Sequence, residues 1–150
     1  MAIPSLHCLQ PVAERVSSIC IVDDTVDFLV LLRWIFSRFC PAYSVHYYAS
    51  GQALLAELPQ LSPKPHLILL DRHMPELDGH QVLRQLKEDE AYKQIPVVMM
   101  SIQASAMEID GCYAADANSF VLKPLDFYSL TLMIDRICHY WLTVNLLPTN

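Results

Sequence analysis

The sequence predicts an α/β fold, a doubly wound domain built on a five-stranded parallel sheet. Three observations carry that reading. Short β-rich runs alternate along the chain with longer amphipathic segments, the pattern that successive βαβ units impose. The third and fourth runs, residues 67–70 and 97–100, are wholly apolar, as central strands buried on both faces should be. Polar residues stand where several runs end, and sheets of this class gather their ligand sites at the carboxyl ends of the strands.

In chain order, the strands are expected at 18–22, 44–48, 67–70, 97–100 and 119–122, each rich in Val, Ile, Leu, Tyr or Phe. The helices are expected at 25–39, 51–58, 79–92, 105–115 and 127–142. Thr25, Ser50 and Asp126 are placed to cap three of them. Asp78-Gly79 reads as an ordinary turn. Five βα units joined by right-handed crossovers give a flavodoxin-like (βα)5 domain of strand order 2-1-3-4-5. Residues 1–15 and 143–150 read as tails on a domain covering 16–142.

A chain of 150 residues fits one domain and buries an adequate core without disulfides or a structural metal. Its longest apolar stretch, Phe28 to Phe36, contains Arg33 and is too short to cross a bilayer. Met1 to Gln10 lacks the basic start and unbroken apolar segment of a secretion signal. The expectation is a cytoplasmic protein with no membrane partner. Cys8, Cys20, Cys40, Cys112 and Cys138 form no CxxC or Cys/His cluster and read as reduced thiols, mostly core filler. The net charge of −6 argues against a nucleic-acid partner, which demands a basic footprint.

Asp23-Asp24, Asp71, Ser101 and Lys123-Pro124 fall at the ends of the first, third, fourth and fifth strands, so the fold gathers them along one edge of the sheet. Clustered carboxylates are costly to ionise unless a cation sits among them. A hard divalent ion with oxygen ligands meets that need, Mg²⁺ above all. Each residue also has a plainer use. An Asp pair after a strand usually makes a turn or a helix cap, a Lys-Pro is usually a solvated loop, and Phe120 in a buried strand is ordinary core.

The segments IVDDT, LILLDRHMPELDG, VVMMS and SFVLKP, taken together and in order, resemble the response-regulator receiver family over residues 17–140. The resemblance implies a stand-alone two-component response regulator that is not an enzyme acting on another substrate. It implies Asp71 as phosphoacceptor, Asp24 as a direct Mg²⁺ ligand, Asp23 as a ligand acting through water, and the backbone carbonyl of His73 as a further ligand. Lys123 and the Ser101 hydroxyl would each hold a phosphoryl oxygen, and Phe120 would be the aromatic switch. The phosphoryl donor would be a sensor histidine kinase or histidine phosphotransfer protein. With no DNA-binding segment in view, output is expected through a downstream protein target and the face formed by the fourth helix, fifth strand and fifth helix. The tail CHYWLTVNLLP more weakly resembles regulators paired with phytochrome-type or hybrid kinases, implying a homodimer. Three alternatives stand beside this reading. A haloacid-dehalogenase-type Mg²⁺-dependent phosphatase needs a second Asp where His73 stands, and a flavin carrier needs a Ser/Thr-rich loop where Asp23-Asp24 stands. A degenerate receiver, serving only as an interaction module, would not need the complete acidic set.

The sequence departs from the family pattern at two places. Ile102 stands where a small residue is usual and is expected to crowd the acceptor; Gln103 and His73, nearby, either tune attacking water or face solvent. Asp116 stands where Gly commonly ends the fourth helix in a left-handed conformation, and Gly111 lies inside that helix, so a weak fourth helix is expected. On the first helix, a period of 3.6 places Phe28, Leu32, Ile35 and Phe39 toward the sheet and Val26, Val30, Arg33, Trp34 and Ser37 opposite. That apolar outer face is expected to be a kinase-docking patch centred on Val26, Val30 and Trp34, unless Leu6, Leu9 and Val12 of the N-terminal tail fold over it.

Overall fold

A computed structural model describes residues 16–148. The expected N-terminal tail, with Cys8 and the covering role for Leu6, Leu9 and Val12, lies outside the described residues. The order is β1 (Ser18–Val22), α1 (Val26–Phe39), β2 (Ser44–Tyr48), α2 (Gly51–Glu57), β3 (Leu67–Asp71), α3 (Gly79–Glu88), β4 (Val97–Ser101), α4 (Ala106–Ala114), β5 (Ser119–Leu122) and α5 (Phe127–His139). All neighbouring strands pair in parallel, in the order β2-β1-β3-β4-β5. β1, β3 and β4 are buried along their whole length, which is why they read as continuous apolar runs.

The two faces of the sheet build separate cores. Leu29, Leu32, Ile35 and Phe36 of α1 meet Leu130, Ile134 and Ile137 of α5 over Ile19, Ile21, Leu67 and Leu69. Leu54, Val82, Leu83, Leu86 and Cys112, from α2, α3 and α4, cover Cys20, Val22, Ile68 and Leu70. Cys20, Cys40, Cys112 and Cys138 are buried thiols, as expected of core filler. Among the described residues no helix is long and apolar enough to cross a membrane.

Several expected boundaries shift, each for a local reason. α3 stops at Glu88 rather than running to residue 92, because the Asp89 carboxylate accepts the Ala91 amide at 2.8 Å and draws the backbone into a turn. α2 gives way to a 3₁₀ turn, Leu58–Gln60, since Pro59 has no N–H to continue an α-helix. α5 widens after His139 into a π-turn, Tyr140–Val144, where Thr143 bonds back to the His139 carbonyl. Ser50 and Asp126 cap α2 and α5 through their side chains, whereas Thr25 occupies the cap position of α1 without a side-chain bond. The buried stripe of α1 is turned toward Leu29 and Phe36; Phe28 and Phe39 are half-buried. Val26, Val30 and Trp34 are exposed as expected, although Trp34 sets its edge against Phe127 of α5 at 5.4 Å between centroids.

Candidate phosphoacceptor and metal site

The chain doubles back at β1, whose two neighbours lead in opposite directions from the sheet centre, and the crevice above that reversal is where such folds bind ligands. Asp71 is the last residue of β3 and Ser101 the last of β4, while Asp23 directly follows β1 and Lys123 directly follows β5. Backbone bonds fix their heights. The Lys123 amide donates to the Ser101 carbonyl at 2.8 Å, continuing the β4–β5 ladder by one residue, and the Arg72 amide donates to Met100 at 2.8 Å.

Asp78-Gly79 does more than turn the chain. Asp78 caps α3 in a reciprocal box with Gln81 and pairs with Arg72 at 3.3 Å. A Cβ at residue 79 would lie 2.0 Å from the Asp71 carbonyl oxygen, so glycine is required for α3 to start hard against the acceptor's own backbone.

Asp23, Asp24 and Asp71 each place one carboxylate oxygen within 4.8 Å of the others. Two unit charges at such a separation repel by roughly 3 kcal/mol at an effective dielectric constant near 20. Asp23 and Asp71 are buried and Asp24 is exposed. Lys123 is their counter-charge, with Nζ 2.5 Å from Asp23 Oδ2 and 2.9 Å from Asp71 Oδ1. Burial lowers the Lys123 pKa, and bonds to the two carboxylates more than reverse that, for a net rise. Burial pushes the Asp71 carboxyl up and the Lys123 bond pulls it back; with the Asp23 and Asp24 charges added, it settles at about 6. The plainer reading of the Asp pair also holds, since Asp23 Oδ1 accepts the Thr25 amide at 2.8 Å in an Asx turn.

Asp24, Thr25, Asp71, His73, Ser101, Ile102, Gln103 and Lys123 line an open pocket of about 490 Å³. Ile102 is 67% exposed at its rim. Ser101 turns its hydroxyl to the Gln103 carbonyl at 2.5 Å. His73 is exposed, as one of its two expected placements had it, and lines the pocket with its Nε2 3.2 Å from Glu108 of α4. Phe120 is half-buried against the α2–α4 core, and its amide donates to the Tyr113 hydroxyl at 3.1 Å. Sequence reasoning missed the Phe28 ring, over which Lys123 Nζ sits at 4.4 Å; its apolar period pointed only to core.

An all-oxygen donor set of three carboxylates, one held at about 6 by burial and crowding, suits a hard divalent cation of the Mg²⁺ or Mn²⁺ kind.

Residues 19–135 match the model of the response regulator receiver domain. The chain is 31% identical over 140 residues to the "Probable methanogenesis regulatory protein FilR2" of Methanothrix harundinacea, covering 91% of this chain and 90% of that protein. It is 33% identical over 103 residues to response regulator Rcp1 of Synechocystis, covering 65% of this chain and 70% of that one. Among solved structures, the phosphorylated cyanobacterial phytochrome response regulator RcpA superposes with a TM-score of 0.83 at 27% identity, over 90% of this chain and all of its own. The Mn²⁺-bound form of Rcp1 gives 0.78 at 28%, over 89% and 99%.

Proposed function

This chain belongs to the response regulator receiver family, and from that premise we propose that Asp71 accepts a phosphoryl group from a phosphohistidine of a sensor kinase or histidine phosphotransfer protein. The observation that carries this reading is the buried Asp71 carboxylate, bonded to Lys123 at 2.9 Å and flanked by two further carboxylates at the mouth of an open pocket. An Asp71 oxygen attacks phosphorus, the bond from phosphorus to the histidine nitrogen breaks, and the imidazole leaves as an acyl phosphate forms. Phosphoryl transfer of this kind depends on positioning and charge neutralisation. Asp23, Asp24, Asp71 and the His73 carbonyl would hold Mg²⁺, which when bound neutralises charge on the transferred group.

Lys123 then donates to a phosphoryl oxygen. The Ser101 hydroxyl leaves the Gln103 carbonyl for another phosphoryl oxygen, and Phe120 moves inward behind it. The acyl phosphate carries about −1.5 to −2 charges in place of the single carboxylate charge, and α4, β5 and α5 carry the change to a downstream protein. A histidine-kinase donor places the chain in the cytoplasm. Val26, Val30 and Trp34, exposed on α1, form the kinase-docking patch. Tyr140, Val144 and Leu146, exposed beyond α5, pair two copies.

Intact-mass measurement after incubation with acetyl phosphate and Mg²⁺ tests the reading. One phosphoryl group should be gained, mapping to the peptide containing Asp71, with none gained in chelator. No gain, or a gain on another peptide, would remove Asp71 from its role.

A further inference from the structure

An ammonium has three hydrogens to place. Lys123 gives one to Asp23 Oδ2 at 2.5 Å and one to Asp71 Oδ1 at 2.9 Å. Its side chain is only 8% exposed, so water is a poor partner for the third. The Phe28 ring takes that place, with its centroid 4.4 Å from Nζ. Lys123, with Thr25 and Ile102, lines both the acidic pocket and a groove of about 410 Å³ to which Phe28, Leu31, Leu125 and Leu130 also contribute.

We infer that Phe28 is a positioning residue for Lys123, its ring holding the ammonium at the pocket wall so that it is in place to meet a phosphoryl oxygen. The inference rests on the phosphoacceptor reading of Asp71. Both polar bonds of Lys123 are conditional. Attachment of a phosphoryl group turns an Asp71 carboxylate oxygen into a poorly accepting ester oxygen, and a divalent cation among the carboxylates competes for them while repelling the ammonium. The attraction of a ring face for a cation depends on neither event. It is worth about twofold to thirtyfold in an equilibrium constant, the larger values applying where water is excluded. Without it, a flexible four-carbon stem carrying a strongly hydrated charge relaxes toward solvent. Phe28 packs against the core that Leu29 and Leu32 fill but is itself only half-buried, which leaves its ring available to Lys123.

The test compares Phe28→Leu, which keeps apolar bulk and removes the ring, with Phe28→Tyr, which keeps the ring. In the metal-free, unphosphorylated protein, the Lys123 ε-methylene and ammonium resonances should show an upfield ring-current shift that Phe28→Leu abolishes and Phe28→Tyr retains. With Mg²⁺ present, affinity for beryllofluoride, a phosphoryl mimic, should fall on the order of tenfold in Phe28→Leu. Phe28→Tyr should restore it, and Mg²⁺ affinity alone should not fall in either variant. Absence of the ring-current shift in the wild type would overturn the inference. So would wild-type beryllofluoride affinity in Phe28→Leu, or equal losses in both variants, which would trace the effect to shape. A wild type that shows the shift and yet binds no beryllofluoride would instead overturn the phosphoacceptor reading, and the positioning role with it, leaving the ring contact itself standing.

Discussion

Burial raises the Asp71 carboxyl to about 6 despite its bond to Lys123, whereas an unfolded aspartate titrates near ~3.9. The fold therefore holds that proton more tightly than the unfolded chain does. The resulting stability is fully present below pH ~3.9 and is lost as pH rises through about 6. Asp71→Asn, which mimics the protonated acid, should stabilise the metal-free protein at neutral pH by about 1–3 kcal/mol. That gain should shrink to nothing below about pH 4. Denaturant unfolding across pH checks it, and a variant no more stable than wild type at pH 7.5 would contradict the burial account. Asp23, Asp24, Asp71, Ser101 and Lys123 were legible in the sequence because strand ends can be read from apolar runs. The pairing of His73 with Glu108 and the seat of Lys123 on Phe28 were not, since each joins elements distant in sequence through side-chain directions that periodicity does not give.

α4 is the loosest of the longer helices. It begins well, in a reciprocal cap between Ser105 and Glu108, but buries only Cys112. Asp116, just past its end, holds a left-handed φ of 67°. Both weaknesses were visible in the sequence, as Gly111 inside the helix and Asp116 where Gly is customary. A Cβ at residue 111 would meet nothing within 4 Å. Gly111→Ala should accordingly stabilise the protein by about 0.5–1 kcal/mol, read as a raised midpoint in denaturant. Gly79→Ala, with its clash against the Asp71 carbonyl, should do the reverse and distort the acceptor. Equal effects at the two glycines would show that the contrast between open space and close approach is wrong. On α1 the exposed Val30 and Trp34 set a different expectation. The double change Val30→Ser and Trp34→Gln should slow phosphoryl transfer from the cognate kinase about tenfold or more while leaving acetyl phosphate labelling intact. Loss of both routes, or of neither, would count against a docking patch. The ends of α3 and α5 were misread because Asp89 and Thr143 rebond the backbone locally, which an apolar period cannot register.

At the scale of the molecule, alternation and crossover handedness pointed to a doubly wound parallel sheet, and the flavodoxin-like type supplied the order that the structure shows. What alternation could not show is how closely α4 is bound to the site it would report on. Glu108 holds His73, two residues after the acceptor, and Tyr113 holds the amide of Phe120 on the edge strand β5. Under the proposed phosphorylation, charge added at Asp71 would lie two residues from His73 and its Glu108 partner on this weakly packed helix. Phosphoryl transfer to Asp71 is measured directly with a panel of histidine kinases charged with labelled ATP. With Mg²⁺ present, label should pass from at least one kinase to the wild-type chain and be absent from Asp71→Asn and from samples with chelator. Undiminished labelling of Asp71→Asn would contradict the account.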